Sequence, residues 1–292
     1  MTEGSSAYRA YRSWVTRPLD GPPEVSVVIP AYNEEWRILP TIGAVATHMS
    51  ARNQPWELII SDDGSTDATV SLVRDLRFAN LRLLVAPANT GKGDAVRRGM
   101  LAARGRLVLF ADADQSTPIE QFDRLAALVD EGYDVVIGSR AAEGAAVSGK
   151  SLTRRILSRG LHEAVSRLYG IDVADTQCGF KLFTADAAQR LFGMQLVDGF
   201  SFDLEVLYLA HKLGYRTAEV PVEWIDAPGS TVDAARVSLQ FLRDLMRIRL
   251  LDLRGRYRQP RLRATTAQPK RATIESPALA LTAPLIDKGT TP

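Results

Sequence analysis

The sequence predicts an α/β fold in which a mostly parallel sheet is flanked by helices within one domain, and three observations carry that prediction. Near-continuous Val/Ile/Leu runs alternate with segments of helical apolar spacing, each run ends in a polar turn, and those turns hold most of the clustered carboxylates. Strands that are apolar throughout are buried on both faces, as parallel strands covered by helices are. Ligands of such sheets bind beyond the carboxyl ends of the strands.

The elements follow in order. Residues 24–30 form a buried strand stopped by Pro30, and residues 38–50 continue as a helix. Residues 56–61 are a second strand, Asp62-Asp63-Gly64-Ser65-Thr66-Asp67 is its turn, and residues 68–77 are a helix with Thr66 or Asp67 as N-cap. A third strand at 81–86 and a third helix at 93–103 lead to a fourth strand, 106–111, which delivers Asp112 and Asp114. After a strand within 133–140, the Gly- and Ala-rich residues 141–149 suit a mobile lid. Residues 151–169 are helical in pattern, 177–184 include a short strand, 202–213 form a helix and 217–224 close the domain. The expected organisation is an N-terminal extension (1–23), the domain proper (24–231), a basic amphipathic helix (232–254) and a disordered tail (255–292) without a periodic apolar face.

Composition narrows the function. A chain of 292 residues with 46% hydrophobic content supports a substantial core, and a net charge of +2, from 36 basic and 34 acidic residues, gives no ground for nucleic acid as a partner. Cys178 is the only cysteine, which excludes an intrachain disulfide and a multi-cysteine metal site and is compatible with a reducing compartment. Arg9, Arg12 and Arg17 precede the domain without the apolar run of a cleaved signal, and no stretch of about 18 apolar residues predicts a membrane span. Membrane contact is therefore expected to be peripheral.

Four turns concentrate the chemistry. Carboxylates at i and i+2, such as Asp112 and Asp114, share one face of a strand end and can grip one hard cation, although Asp-x-Asp also serves simply to cap turns. Ala31 and Tyr32 can lie against a flat base while Glu34 accepts hydrogen bonds, or the segment is an ordinary strand-to-helix turn. Asp62 and Asp63 sit where a strand opens into a helix. Gly91 and Gly93 permit close backbone approach, and Lys92 supplies a cation for phosphate. His48, His162 and His211 lack paired ligand spacing and read as structural or surface residues.

In that order, Val27 to Glu35, Asp62 to Asp67, Asn89 to Gly93 and Asp112-Ala113-Asp114 resemble the family 2 inverting glycosyltransferases, over roughly residues 25–224. The resemblance implies a GT-A fold, an NDP-sugar donor, and Mg²⁺ or Mn²⁺ held by Asp112 and Asp114 against the diphosphate. It assigns Pro30, Ala31, Tyr32, Glu34, Asp62, Asp63, Lys92 and Asp112 to the nucleotide, with Asp63 accepting the nucleobase imide N–H. Gly138-Ser139-Arg140, Arg154-Arg155 with Ser158, and Asp175 to Lys181 look like the polyprenyl-phosphate branch, which includes dolichyl-phosphate mannose and glucose synthases. That branch implies Arg140, Arg154 and Ser158 on the acceptor phosphate, and Asp112, Asp114, Arg140 and Asp175 as catalytic residues. Asp175 orients Lys181, a neighbouring arginine or the sugar, and Asp203 and Glu205 line the sugar side or brace the acceptor half. Residues 224–231 and 241–249 look like the glucose synthases, departing at Thr231 where lysine is usual. UDP-glucose is thus the favoured donor and GDP-mannose the other; a soluble acceptor, or a sugar-nucleotide-binding module without turnover, are the alternatives. Arg236, Arg243, Arg247 and Arg254 share one side of the last helix, with Phe241, Leu245 and Ile248 on another. That helix rests on an anionic bilayer, placing the protein on the cytoplasmic face of a membrane, or it packs on its own domain.

Overall fold

A computed structural model describes residues 6–142, 144–147, 169–171, 173–225 and 234–257. The expected acceptor residues Arg154 and Ser158, the helix expected over 151–168, and the tail beyond Tyr257 lie outside the described residues.

Seven strands form one sheet in the order β3-β2-β1-β4-β7-β5-β8. They are β1 (Val25–Ala31), β2 (Trp56–Asp62), β3 (Leu81–Val85), β4 (Leu107–Ala111), β5 (Val135–Ser139), β7 (Phe180–Thr184) and β8 (Thr217–Pro221). A two-stranded parallel pair, β6 (Ala146–Val147) with β9 (Glu223–Trp224), lies apart from it. The described helices are α1 (Ser6–Thr16), α2 (Ile38–Ala51), α3 (Thr69–Leu76), α4 (Lys92–Ala102), α5 (Phe122–Asp130), α6 (Ala185–Met194), α7 (Phe202–Leu213) and α8 (Ala234–Leu253). Within one strand, alternate residues enter two different cores: Val27, Ile29, Leu58 and Leu109 pack on one face of the sheet, and Val28, Ile59, Val108 and Phe110 on the other. Both faces are buried, which is why these strands read as unbroken apolar runs.

Every strand pair of the large sheet is parallel except those made by β7, which runs antiparallel to β4 and β5. Its reversed direction places the start of β7 beside the end of β4, with Ala111 opposite Phe180. The segment entering β7 is thereby delivered to the same rim as Asp112. Pro30 does not stop β1: it pairs in register with Ser61 of β2. Pairing with β4 has already ended at Val28, so the missing proline N–H leaves no gap on that side.

Three further expectations are corrected. The N-terminal extension is part of the domain, because Trp14 of α1 is buried, stacks on Trp56 with ring centroids 4.1 Å apart, and donates from Nε1 to the Trp56 carbonyl at 2.9 Å. Asn80 Nδ2 closes the contact by donating to the Trp14 carbonyl at 2.6 Å. The ordered chain also passes the expected start of the tail, since Tyr257 is buried and donates to Glu205 Oε1 at 2.5 Å. Leu245 and Ile248 are core residues of the domain, so of the two alternatives left open for the last helix this side takes the packed one. Third, the N-cap position of α3 is Ala68 and not Thr66 or Asp67; Asp67 stands one residue earlier, its Oδ1 accepting from the Thr69 N–H at 2.9 Å.

One buried carboxylate shows how the sheet carries charge inside it. Glu57 is fully buried on β2 and accepts from Ser26 Oγ at 2.7 Å and from Arg104 N, Nε and Nη2 at 3.0, 3.0 and 2.7 Å. Burial alone would raise its pKa, yet these donors hold it below the usual carboxylate range.

Candidate active site

Beyond the ends of β4 and β5, beside β9 and the segment entering β7, lies a cavity of about 110 Å³, lined by Asp112, Asp114, Ser116, Thr117, Arg140, Gln177, Gly179 and Trp224. Liquid water occupies about 30 Å³ per molecule, so the space suits a phosphoryl group and its immediate partners. Asp112 and Asp114 face it together, as the strand-end spacing required.

Asp112 is fixed by its neighbours across the sheet. Its N–H donates to the Gly179 carbonyl at 3.0 Å, and its carboxylate lies so close to Gly179 that a Cβ there would fall 1.8 Å from Oδ2. Only glycine fits. Asp112 Oδ1 is buried, accepts no hydrogen bond of good geometry, and has Lys92 Nζ 2.7 Å away as an ion-pair partner. Asp114 Oδ1 accepts from the Ser116 N–H at 2.9 Å, across Gln115 in the left-handed region at φ 51°. Among the described residues no group of three or more His, Cys, Asp or Glu side chains has metal-binding proximity, so the pair offers two hard oxygen ligands and leaves the remainder to a ligand.

On the nucleotide side, several expected residues are occupied by the chain itself. Asp62 builds its own turn, Oδ1 accepting from Gly64 N and Ser65 N at 3.0 Å each while Oδ2 takes the Ser65 hydroxyl. Asp63 ties the second motif to the third: Oδ1 accepts from Thr90 N and Oγ1 at 3.0 Å, and Oδ2 from Gly91 N at 2.9 Å. Glu34 chelates Arg37 at 2.7 and 3.1 Å, and burial pushes its pKa up despite that partner. Ala31 is buried, whereas Tyr32 is 44% exposed and presents a ring at the rim. Gly91 and Gly93 do allow a close approach, but of the chain's own residues 197–198, where a Cβ would meet Asp198 O at 2.4 Å and Val197 O at 2.8 Å. Lys92 opens α4, and although its burial favours the neutral amine, the charges of Asp112 and Asp203 raise its pKa and keep it cationic.

On the opposite side, Asp175 takes the neighbouring-arginine option left open by the sequence. Arg140 Nε and Nη2 donate to Asp175 Oδ2 and Oδ1 at 2.7 and 2.9 Å, and the Arg140 N–H adds a third bond at 3.0 Å. Burial opposes both charges, but the contact outweighs it, lowering the Asp175 pKa and raising that of Arg140. The Nε–Nη2 edge is spent on Asp175, which leaves the Nη1 end of the guanidinium for a ligand. The same guanidinium lies 5.8 Å over the Trp224 ring. Cys178 is buried with its thiol pKa pushed up by burial to about 11, which fits a packed residue rather than a nucleophile.

Sequence reasoning did not assign Ser116, Thr117, Gln177, Gly179 or Trp224 to the cavity. Gln177 and Gly179 stood inside a quoted motif, but only the antiparallel course of β7 brings them to the rim. Asp203 and Glu205, expected to line the sugar side or brace the acceptor half, are both buried in α7 and do not line the cavity. Glu205 accepts from Leu196 N and Val197 N at 2.9 and 2.8 Å, bracing the segment before α7.

A carboxylate pair at the end of a central strand faces a charged cleft on a mostly parallel sheet, the position at which sheets of this kind bind their ligands. The model of the Glycosyl transferase family 2 matches residues 26–192, and the chain belongs to that family. Its relatives include the Dolichyl-phosphate beta-glucosyltransferase of Dictyostelium discoideum, 37% identical over 246 residues that cover 79% of this chain and 75% of that protein. The Drosophila melanogaster protein of the same name is 40% identical over 251 residues, covering 80% and 77%. Among solved structures, glucosyl-3-phosphoglycerate synthase from Mycobacterium tuberculosis in complex with phosphoglyceric acid superposes with a TM-score of 0.58 at 21% identity, over 85% of each chain. The same enzyme with Mn²⁺, UDP-glucose and phosphoglyceric acid gives a TM-score of 0.57, also at 21% identity, over 89% of this chain and 86% of that one. At that identity the likeness establishes the fold, which is GT-A.

Proposed function

We propose that the chain transfers glucose from UDP-glucose to a polyprenyl phosphate with inversion, assisted by Mg²⁺ or Mn²⁺ at Asp112 and Asp114. The observation that carries this reading is the charge inventory of the cavity: among the described residues its carboxylates are the Asp112/Asp114 pair, its cation is Arg140, and neither His nor Glu lines it. With both carboxylates assigned to the cation, no described lining residue is left to act as a general base, which favours an acceptor that arrives already ionised, as a phosphate monoester does and an alcohol does not. The names of the relatives at 37% and 40% identity support dolichyl phosphate as the kind of acceptor and glucose as the sugar.

In this account an acceptor phosphate oxygen, steered by Arg140 Nη1, attacks the anomeric carbon as the bond from that carbon to the donor's β-phosphate oxygen breaks. UDP leaves with the bonding electrons, and no proton has to be removed. The cation, when bound, neutralises charge gathering on the departing diphosphate. Asp112 and Asp114 would hold it, their carboxylates being the two that line the cavity among the described residues. Asp175 keeps the Arg140 fork in place, and Lys92 adds a cation beside the diphosphate.

Peripheral contact with a membrane is part of the proposal. No helix among the described residues is long and apolar enough to cross one. From residue 243 onward α8 and its exit expose Met246, Leu250 and Leu253 together with Arg243, Arg247, Arg249, Arg254 and Arg256. Its carboxylates turn toward the domain, Asp244 to Ser201 Oγ at 2.6 Å and Asp252 to Tyr208 at 2.5 Å. The outer surface is thus apolar and wholly basic, which suits an anionic bilayer. Ser201 adjoins Phe200, whose ring faces Lys92 Nζ at 5.9 Å, so this surface is anchored close to the site.

A soluble phosphorylated acceptor is the competing reading, since phosphoglyceric acid is bound by the structural neighbour. Incubation with UDP-[¹⁴C]glucose, Mn²⁺ and either a polyprenyl phosphate or 3-phosphoglycerate separates the two. Label is expected in the organic phase with the lipid; label only in the aqueous phase with phosphoglycerate would reject the lipid acceptor.

A further inference from the structure

Lys181 and Asp203 are among the most buried charges in the protein, at 1% and 4% exposure, and neither lines the cavity. Lys181 Nζ donates to Asp203 Oδ1 and to the Cys178 carbonyl, each at 2.5 Å, and sits 5.8 Å from the centre of the Phe110 ring. Phe110 in turn packs edge-on against Phe202, the residue before Asp203, with centroids 5.7 Å apart. A buried ion pair of this kind is a poor source of net stability, because the desolvation of both charges consumes most of the attraction. What the pair does accomplish is geometric.

The Cys178 carbonyl belongs to the turn whose next residue, Gly179, abuts Asp112. Gly179 accepts the Asp112 N–H at 3.0 Å and lies against Asp112 Oδ2 so closely that no side chain fits between them. Lys181 itself stands opposite Phe110 in the β4–β7 ladder, two residues before Asp112. A chain of contacts therefore runs from Asp203 at the first turn of α7, through Lys181, to the Cys178–Gly179 turn and on to the carboxylate. We infer that Lys181 and Asp203 are a buried positioning pair that fixes this turn, and through it holds Asp112 in the orientation that takes a divalent cation. The inference rests on the proposed role of Asp112 as a cation ligand. Partners that orient a metal ligand commonly cost 10–100-fold in metal affinity when removed.

The test is Mn²⁺ binding by the full chain in the presence of UDP, read from the paramagnetic resonance signal of free Mn²⁺, which does not depend on turnover. Asp203→Asn and Lys181→Met are each expected to weaken Mn²⁺ binding by about 10-fold or more. Glu205→Gln is the comparison: it lies on the same helix, is equally buried, and braces residues 196–197 and Tyr257 rather than the Gly179 turn. It should lower Tm and leave Mn²⁺ affinity unchanged. If the single variants do not fold, the apolar pair Lys181→Met with Asp203→Leu, which strands no buried charge, is measured in their place. Wild-type Mn²⁺ affinity in a folded pair variant would overturn the inference, as would an equal loss in Glu205→Gln. Absence of Mn²⁺ binding by the unmodified chain would remove the role of Asp112 itself, and the inference with it.

Discussion

Replacing Asp112 with alanine is expected to lower kcat/KM for glucosyl transfer by about 10³-fold, the scale on which one electrostatic contact to a leaving oxyanion is felt. The expectation follows from position. Asp112 is the residue immediately after β4, and its carboxylate is held between Gly179 and Lys92, whose Nζ lies 2.7 Å from Oδ1. No neighbouring carboxylate replaces it, because Asp114 is already committed through Oδ1 to the turn at Ser116. Tm should change little, since Asp112 and Lys92 are each about a quarter to a third exposed and an ion pair at such exposure contributes on the order of 1 kcal/mol or less. Steady-state kinetics across a Mn²⁺ titration provides the check: a variant that saturates with metal and recovers wild-type turnover would contradict the assignment.

Arg140→Ala should have the second largest effect, and it divides into two parts. Loss of the contact from Nη1 to an anionic acceptor is worth about 1.5–3 kcal/mol, or roughly 10–100-fold in kcat/KM for the acceptor, with little change in KM for UDP-glucose. The variant also strands Asp175, which is 8% exposed and loses both of its guanidinium bonds. Leaving such a charge unpaired costs about 3–5 kcal/mol of stability. The double variant Arg140→Ala with Asp175→Asn is therefore expected to regain most of the Tm and none of the acceptor kinetics. Recovery of both together would make Arg140 a structural residue only.

Much of this architecture was legible in the chain because burial on two faces leaves a plain mark. The runs ending at Pro30, Ser61 and Ala111 are buried throughout and apolar except at Ser26, Glu57 and Ser61, and they appear in the sheet as β1, β2 and β4. The carboxylates at the end of β4 were legible for the same reason. What escaped were contacts between residues distant in sequence. Asp175 meets Arg140 across 35 residues and Asp203 meets Lys181 across 22, and no local period encodes either pairing. Lys181, read only as one possible partner of Asp175, is 1% exposed and pairs with Asp203. Helix α1 was missed because its few apolar residues are spaced among arginines, and its attachment depends on one stacked pair, Trp14 on Trp56. The final helix had the right amphipathic period, but two apolar stripes compete on it. Leu245 and Ile248 dock the helix, and Met246, Leu250 and Leu253 remain outside.

The central claim is that the acceptor is a phosphate that reaches the enzyme already ionised, so that the chain needs cations and no base. Its most direct test compares one polyprenyl phosphate with the same polyprenol lacking the phosphate, under UDP-[¹⁴C]glucose and Mn²⁺, measuring label extracted with the lipid. Transfer to the phosphate alone, at a rate nearly flat with pH above the second phosphate ionisation near 6, is the predicted result. Comparable transfer to the free alcohol would contradict it, because an alcohol requires a general base, and both carboxylates among the described lining residues are assigned to the cation.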